Sequence, residues 1–210
     1  MAKAGLPAEK VDVKPNYFPG NPQVVPWQKR ASCVVFVGRL SAEKGVENLL
    51  RAWQMWGSKA PELLIVGAGE MRAALERMAV GLPVKFTGQV NSSEAQAQIA
   101  KARLLILPSE CFEGFPMTIR EAFAVGTPAA VSNIGSLPSI VKHGKNGIVF
   151  EPANPQSLLN EARTAWNTPD MLERLGEGAR AEFEARYTEE INYKILMAIY
   201  EKAIREKKSS

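Results

Sequence analysis

From residue 32 onward the chain alternates short apolar runs with longer stretches of helical periodicity, and this alternation limits the fold more than any other feature. The runs lie at 33–37, 63–66, 84–87, 104–107, 129–132 and 148–150. Runs this short and this apolar read as strands buried on both faces. Between them, Val46, Leu49, Leu50, Trp53 and Trp56 recur near helical spacing over 45–57. A second helix follows Gly67-Ala68-Gly69 to about Ala79. A third opens at Asn91-Ser92-Ser93-Glu94, which resembles a capping box, and runs to about Ala102. A fourth starts after Pro116 and ends near Val125. Strands alternating with helices predict an α/β chain: a Rossmann-like three-layer sandwich with a mostly parallel sheet of about six strands.

The flanks read differently. Pro15, Pro19, Pro22 and Pro26 keep the start of the chain from forming a long helix, so 1–31 is expected to be an extended leader or linker. Val11 and Val13 alternate with Asp12 and Lys14, which fits a short edge strand. Helices at 154–167 and 170–185 close a domain spanning 32–186. The remainder, 187–210, is a C-terminal helix (189–206) and tail. Ile191, Ile195, Ala198, Ile199 and Ala203 share one helix face, which would cover this domain or another surface.

Composition excludes several functions. A hydrophobic content of 46% supports a packed core. The two cysteines, Cys33 and Cys111, have no metal-ligand spacing and read as reduced thiols of a cytoplasmic protein. The single histidine, His143, lies in a polar turn, so a histidine-based metal centre is not expected. The net charge of +4 is dispersed, and no nucleic-acid motif accompanies it. No apolar run approaches the ~20 residues of a membrane span, and no signal-peptide core precedes the leader. Peripheral membrane contact is left open. Gly67-Ala68-Gly69-Glu70-Met71-Arg72 imitates a dinucleotide fingerprint but has Arg72 where the third glycine belongs. It is read as a tight strand-to-helix turn.

Ligands of open α/β sheets bind beyond the carboxyl ends of the strands. The loops that matter are therefore 38–44, 67–70, 88–91, 108–116 and 132–136. The first begins Gly38-Arg39-Leu40 and ends Lys44-Gly45. Two cations across a strand–helix turn can clamp a diphosphate, Arg39 through its fork and Lys44 as a point charge. The competing reading is a solvated turn with Lys44 paired to Glu43 or Glu47. The fourth loop carries Glu113-Gly114-Phe115-Pro116, followed by Glu121 about a turn into the next helix. A helix start with free N–H groups favours an anion. A structural alternative pairs these glutamates with Arg120 or a lysine.

Taken together and in order, these motifs resemble the C-terminal, nucleotide-sugar-binding domain of the group 1 (family 4) retaining glycosyltransferases, which have the two-lobed GT-B fold. The resemblance covers roughly 33–151 and includes Phe86-Thr87-Gly88-Gln89-Val90, Pro108-Ser109, the segment from Glu113 to Pro128 and the Gly144…Asn146-Gly147 loop. The leader, Gly5-Leu6-Pro7-Ala8-Glu9-Lys10-Val11…Pro15-Asn16, resembles the passage out of an N-terminal lobe. The resemblance implies that Gly38, Arg39 and Lys44 bind the donor diphosphate, and that Glu113 binds the sugar hydroxyls. Gly114 and the N–H groups of Phe115, Met117 and Thr118 would face sugar and phosphate. Glu121 would hold the ribose, and Gln89 and Val90 would touch the base. Arg39, Lys44 and Glu113 would carry catalysis, with no metal and no cofactor beyond the UDP- or GDP-sugar substrate. Pro116 stands where many members have glycine, which removes one donor. The expected partners are the sugar nucleotide and, through a second lobe, an acceptor. On this reading the 210 residues bind donor without completing transfer. The alternatives are a non-catalytic nucleotide-binding module, a nucleotide-sugar epimerase lobe or a phosphorylase, the last lacking an evident pyridoxal lysine. A paired-carboxylate hydrolase leaves Arg39 and Lys44 without a role.

Overall fold

The computed structural model describes residues 11–208. Its sheet has six strands: β1 (Cys33–Val37), β2 (Glu62–Val66), β3 (Val84–Gly88), β4 (Leu104–Leu107), β5 (Ala129–Ser132) and β6 (Gly147–Phe150). All five strand pairings are parallel, in the order β3-β2-β1-β4-β5-β6. The helices are α1 (Val46–Trp56), α2 (Arg72–Met78), α3 (Ser92–Lys101), α4 (Met117–Ala124), α5 (Leu137–Ile140), α6 (Pro155–Trp166), α7 (Pro169–Arg186) and α8 (Glu189–Lys208). The chain is thus the α/β sandwich expected, with a sheet that is wholly parallel. The capping box at Asn91 is present in full: its side chain accepts the Glu94 N–H, and the Glu94 carboxylate receives the Asn91 N–H. The short α5 was not expected, because one turn of helix leaves no periodic signature.

The continuous apolar runs arise because alternate residues of one strand enter different cores. Val34 and Phe36 of β1, with Leu104 and Ile106 of β4, pack under α1 and α6. Cys33 and Val35, with Leu105 and Leu107, pack under α3, α4 and α7. Trp53 is fully buried in the first core, and its Nε1 donates to the Pro61 carbonyl at 2.9 Å. No helix among the described residues is long and apolar enough to cross a membrane.

The leader from residue 11 runs extended apart from one helical turn at Trp27–Lys29. Residues 5–10 of the expected passage lie outside the described residues. The edge strand expected at Val11–Val13 does not form. Asp12 instead pairs with Lys202 of α8 at 3.0 Å, and Val13 is exposed. The segment lies against α8 rather than beside β3 or β6, the two strands whose outer edges stay open among the described residues. Phe18 is buried, and its N–H donates to the Tyr187 carbonyl at 3.0 Å.

Arg30 fixes the end of the leader. It is 5% exposed, and its guanidinium donates to the carbonyls of Val25, Ala102, Val125 and Gly126 and to Thr127 Oγ1. Ala102 and Val125 are the C-caps of α3 and α4, so the cation sits at two negative helix ends. Burial pushes its pKa down to about 10, and it remains charged at neutral pH. Arg30→Met leaves this set of acceptors without a donor and is expected to cost about 3 kcal/mol. Thermal denaturation should show the midpoint falling by roughly 6–12 °C. A second site points the other way. Ala153, between β6 and α6, has φ +51°, a left-handed conformation that costs a side chain about 1 kcal/mol or more. Ala153→Gly is expected to raise the midpoint by roughly 1–3 °C after the entropy cost of glycine.

Candidate functional site

The loops after β1, β2 and β3 are stitched to one another by backbone hydrogen bonds. Gly38 N–H donates to Val66, Leu40 N–H to Ala68, and Gly67 N–H to Gly88, at 2.9–3.0 Å. The two glycines of Gly67-Ala68-Gly69 are there for this contact. A Cβ on Gly67 would lie 1.9 Å from the Gly38 carbonyl oxygen, and one on Gly69 2.3 Å from that of Leu40. Above these loops is a cleft of about 360 Å³ lined by Gly38, Arg39, Gly67, Gln89, Val90 and Ala95, among others. Val37, Val66 and Val90 give it apolar walls. Arg39 is exposed at this cleft, and no described residue hydrogen-bonds its guanidinium.

Between β1 and β4 the strand order reverses direction, which opens a crevice at the carboxyl ends of the two strands. Gly45 (φ +66°) passes so close to β4's loop that a Cβ would meet the Pro108 carbonyl oxygen at 2.0 Å. The Glu110 N–H donates to the Glu43 carbonyl at 2.8 Å, joining the same two loops. Across this junction Lys44 Nζ lies 2.6 Å from Glu113 Oε1. Ser109 Oγ donates to that same oxygen at 2.8 Å, leaving the other carboxylate oxygen open to a donor. Lys44 therefore pairs with neither Glu43 nor Glu47. Glu43 takes the Ser41 hydroxyl, and Glu47 takes Arg51.

The loop then enters α4. Ser136 Oγ is shared between the carbonyl oxygens of Glu113 and Gly114, at 2.6 and 2.5 Å. A Cβ at Gly114 would meet nothing within 4 Å. Pro116 is the N-cap and no side chain caps the helix, so its first N–H groups, including those of Met117 and Thr118, have no intrahelical partner. Phe115 turns its ring onto Tyr187, centroids 5.2 Å apart. Glu121 lies one turn in, with its side chain 13% exposed and Arg120 Nη2 at 4.0 Å. Burial raises its pKa, with Arg120 and a hydrogen bond from Gln96 opposing. Arg120 also donates to the Tyr17 carbonyl and lies over the Phe18 ring at 5.5 Å.

The residues singled out from sequence thus fall into two neighbouring groups. Gly38, Arg39, Gln89 and Val90 share the cleft. Lys44, Glu113, Gly114 and the start of α4 form the crevice, joined to the cleft by the 38–45 loop. Glu121 is not part of the cleft lining; it lies one turn into α4 and takes a hydrogen bond from Gln96 of α3. Sequence reasoning assigned no role to Ser109 or Ser136, because a serine in a loop carries no periodic or motif signal of its own. His143 is structural: its Nδ1 accepts the Val149 N–H at 3.2 Å. No cluster of three His, Cys, Asp or Glu suited to a metal ion occurs among the described residues.

The family described as Glycosyl transferases group 1 matches residues 19–182. An uncharacterized glycosyltransferase of Methanocaldococcus jannaschii is 36% identical over 148 residues, covering 68% of this chain and 36% of that protein. Sulfoquinovosyl transferase of Arabidopsis thaliana is 30% identical over 156 residues, covering 72% of this chain and 30% of that protein. The chain therefore spans about a third of the length of these curated relatives. The Anabaena protein Alr3699/HepE, solved in complex with UDP-glucose, superposes with a TM-score of 0.80 at 24% identity, over 97% of this chain and 60% of that one. The fold, the ordered loops and these similarities agree, and the chain belongs to the group 1 glycosyltransferases as a C-terminal-type domain of their GT-B architecture.

Proposed function

We propose that this chain is the donor-binding half of a retaining glycosyltransferase that takes a hexose from a nucleoside-diphosphate sugar. The observation that carries the reading is the Lys44–Glu113 pair across the β1/β4 crevice, beside the uncapped start of α4. A cation, a carboxylate with one open oxygen and free N–H groups are the three elements that a sugar diphosphate requires.

In this reading the diphosphate lies between Lys44, Arg39 and the α4 N-terminus. These groups offset the charge that grows on the departing nucleotide, which is transition-state stabilisation by preorganised charge. That charge is supplied without a metal. Glu113 accepts from the sugar hydroxyls, and the open space over Gly114 lets the sugar approach the backbone. Gln89 and Val90 flank the base in the apolar cleft, and Glu121 holds the ribose. The HepE complexes with UDP and UDP-glucose make UDP the first nucleotide to try. The acceptor, a glycan, a lipid or another hydroxyl compound, is taken to bind on a second lobe. The 210 residues then bind donor without transferring it. The two free cysteines fit a reducing compartment such as the cytoplasm.

Calorimetric titration with UDP, GDP and ADP and their glucose conjugates tests this, run beside a transfer assay. One nucleotide should bind, with turnover undetectable. Lys44→Ala should weaken that nucleotide roughly 10- to 100-fold, the loss of a charge-assisted bond. Part of that loss is the unpaired Glu113 facing the phosphates, so Lys44→Ala with Glu113→Gln should recover some of it. No binding of any of the three nucleotides, or full affinity in Lys44→Ala, would overturn the reading.

Glu121 gives an independent test. Its pKa is raised in the folded protein, so the folded state holds its proton to a higher pH than the unfolded chain does. The wild type therefore loses stability as pH rises from the unfolded carboxylate value through the folded one. At pH 7, Glu121→Gln should be more stable than wild type, and the gap should close as pH falls toward 4. The same variant should bind the nucleotide more weakly, as expected of a carboxylate retained for the ribose at a cost in stability.

A further inference from the structure

Phe112 is 83% exposed, yet it belongs to the loop that carries Glu113. Singly exposed apolar residues are ordinary on protein surfaces, but the backbone that carries this one is fastened to the neighbouring loop. Gly135 (φ +59°) lies so close that a Cβ there would touch Phe112 Cδ1 at 3.0 Å. Ser136 fastens the same two loops by donating to the Glu113 and Gly114 carbonyls, and Ser109 and Lys44 fix the Glu113 carboxylate. Met117, 47% exposed, adds apolar surface at the other end of the loop. An aromatic ring that offers no hydrogen bond, on the residue before a carboxylate with a free acceptor, suits a ligand ring that is apolar on its faces and hydroxylated at its rim. A pyranose is such a ring.

We propose that Phe112 is a stacking platform for a pyranose ring gripped at its hydroxyls by Glu113. The proposal rests on the donor-site reading above. The ring is either the hexose of the intact donor or a free sugar beside the bound nucleotide, and two titrations separate these sources. The first compares a bare nucleotide with its glucose conjugate, using whichever of UDP, GDP and ADP the wild type binds. The second holds that nucleotide at saturation and follows methyl α-D-glucopyranoside by saturation-transfer NMR. Phe112→Ala should reduce the sugar's contribution roughly three- to tenfold in one of the two. It should leave the bare nucleotide unchanged, and Phe112→Trp should preserve the sugar term. A loss in the first titration assigns the hexose of the intact donor to the platform, and a loss in the second alone assigns a free sugar beside the nucleotide. The proposal fails if Phe112→Ala leaves both titrations unchanged, if the wild type shows no sugar contribution in either, or if Phe112→Ala weakens the bare nucleotide equally. Failure of every nucleotide to bind would instead overturn the donor-site reading.

Discussion

A parallel sheet must be covered on both faces, and nearly everything else in this protein follows from meeting that demand. Apart from the edge strand β3, each strand sends alternate residues into opposite cores, so β1 and β4 are apolar throughout and helices fall on both sides. Covering both faces requires crossovers in both directions from β1. Where the directions part, between β1 and β4, no helix fills the crevice at the strand ends. Lys44 and Glu113 of the candidate site meet at that gap.

The loops at the gap are held by backbone contacts that tolerate little side-chain bulk. Gly45 against Pro108, Gly67 against Gly38 and Gly69 against Leu40 are approaches that any Cβ would block. These contacts bring the 38–45 and 108–116 loops close enough for Lys44 to reach Glu113. The charged groups of the site thus rest on glycine-dependent backbone packing, and the pair spans residues 69 positions apart in sequence.

Charge is placed in this molecule against the local cost of burying it. Arg30 is buried among carbonyl acceptors and forms no ion pair among the described residues, and its depressed pKa records that cost. It repays it by satisfying two helix C-termini at once. Glu121 is buried beside Arg120, yet burial still outweighs the attraction. A residue that resists its own burial in the folded chain is one for which stability alone gives no reason, unlike Arg30.

The sequence by itself determined the class of fold, because strand length, apolar content and helical spacing are local properties. The six strands and the helices around them were legible within a residue or two. The one-turn α5 carried no signal, and the expected strand at Val11–Val13 had local alternation, but the chain carries it to α8 and not to a sheet edge. Candidate site residues were legible as loops after strands, and Arg39, Lys44, Glu113 and Glu121 stand out by charge. What only the tertiary structure decided was pairing: Lys44 to Glu113 rather than to its neighbours Glu43 and Glu47, Ser109 and Ser136 as their supports, and the leader folded back through Arg30. Local sequence constrains the backbone through sterics and burial. The partner of a long flexible cation depends on which distant loop the crossovers bring within reach, and no local pattern records that.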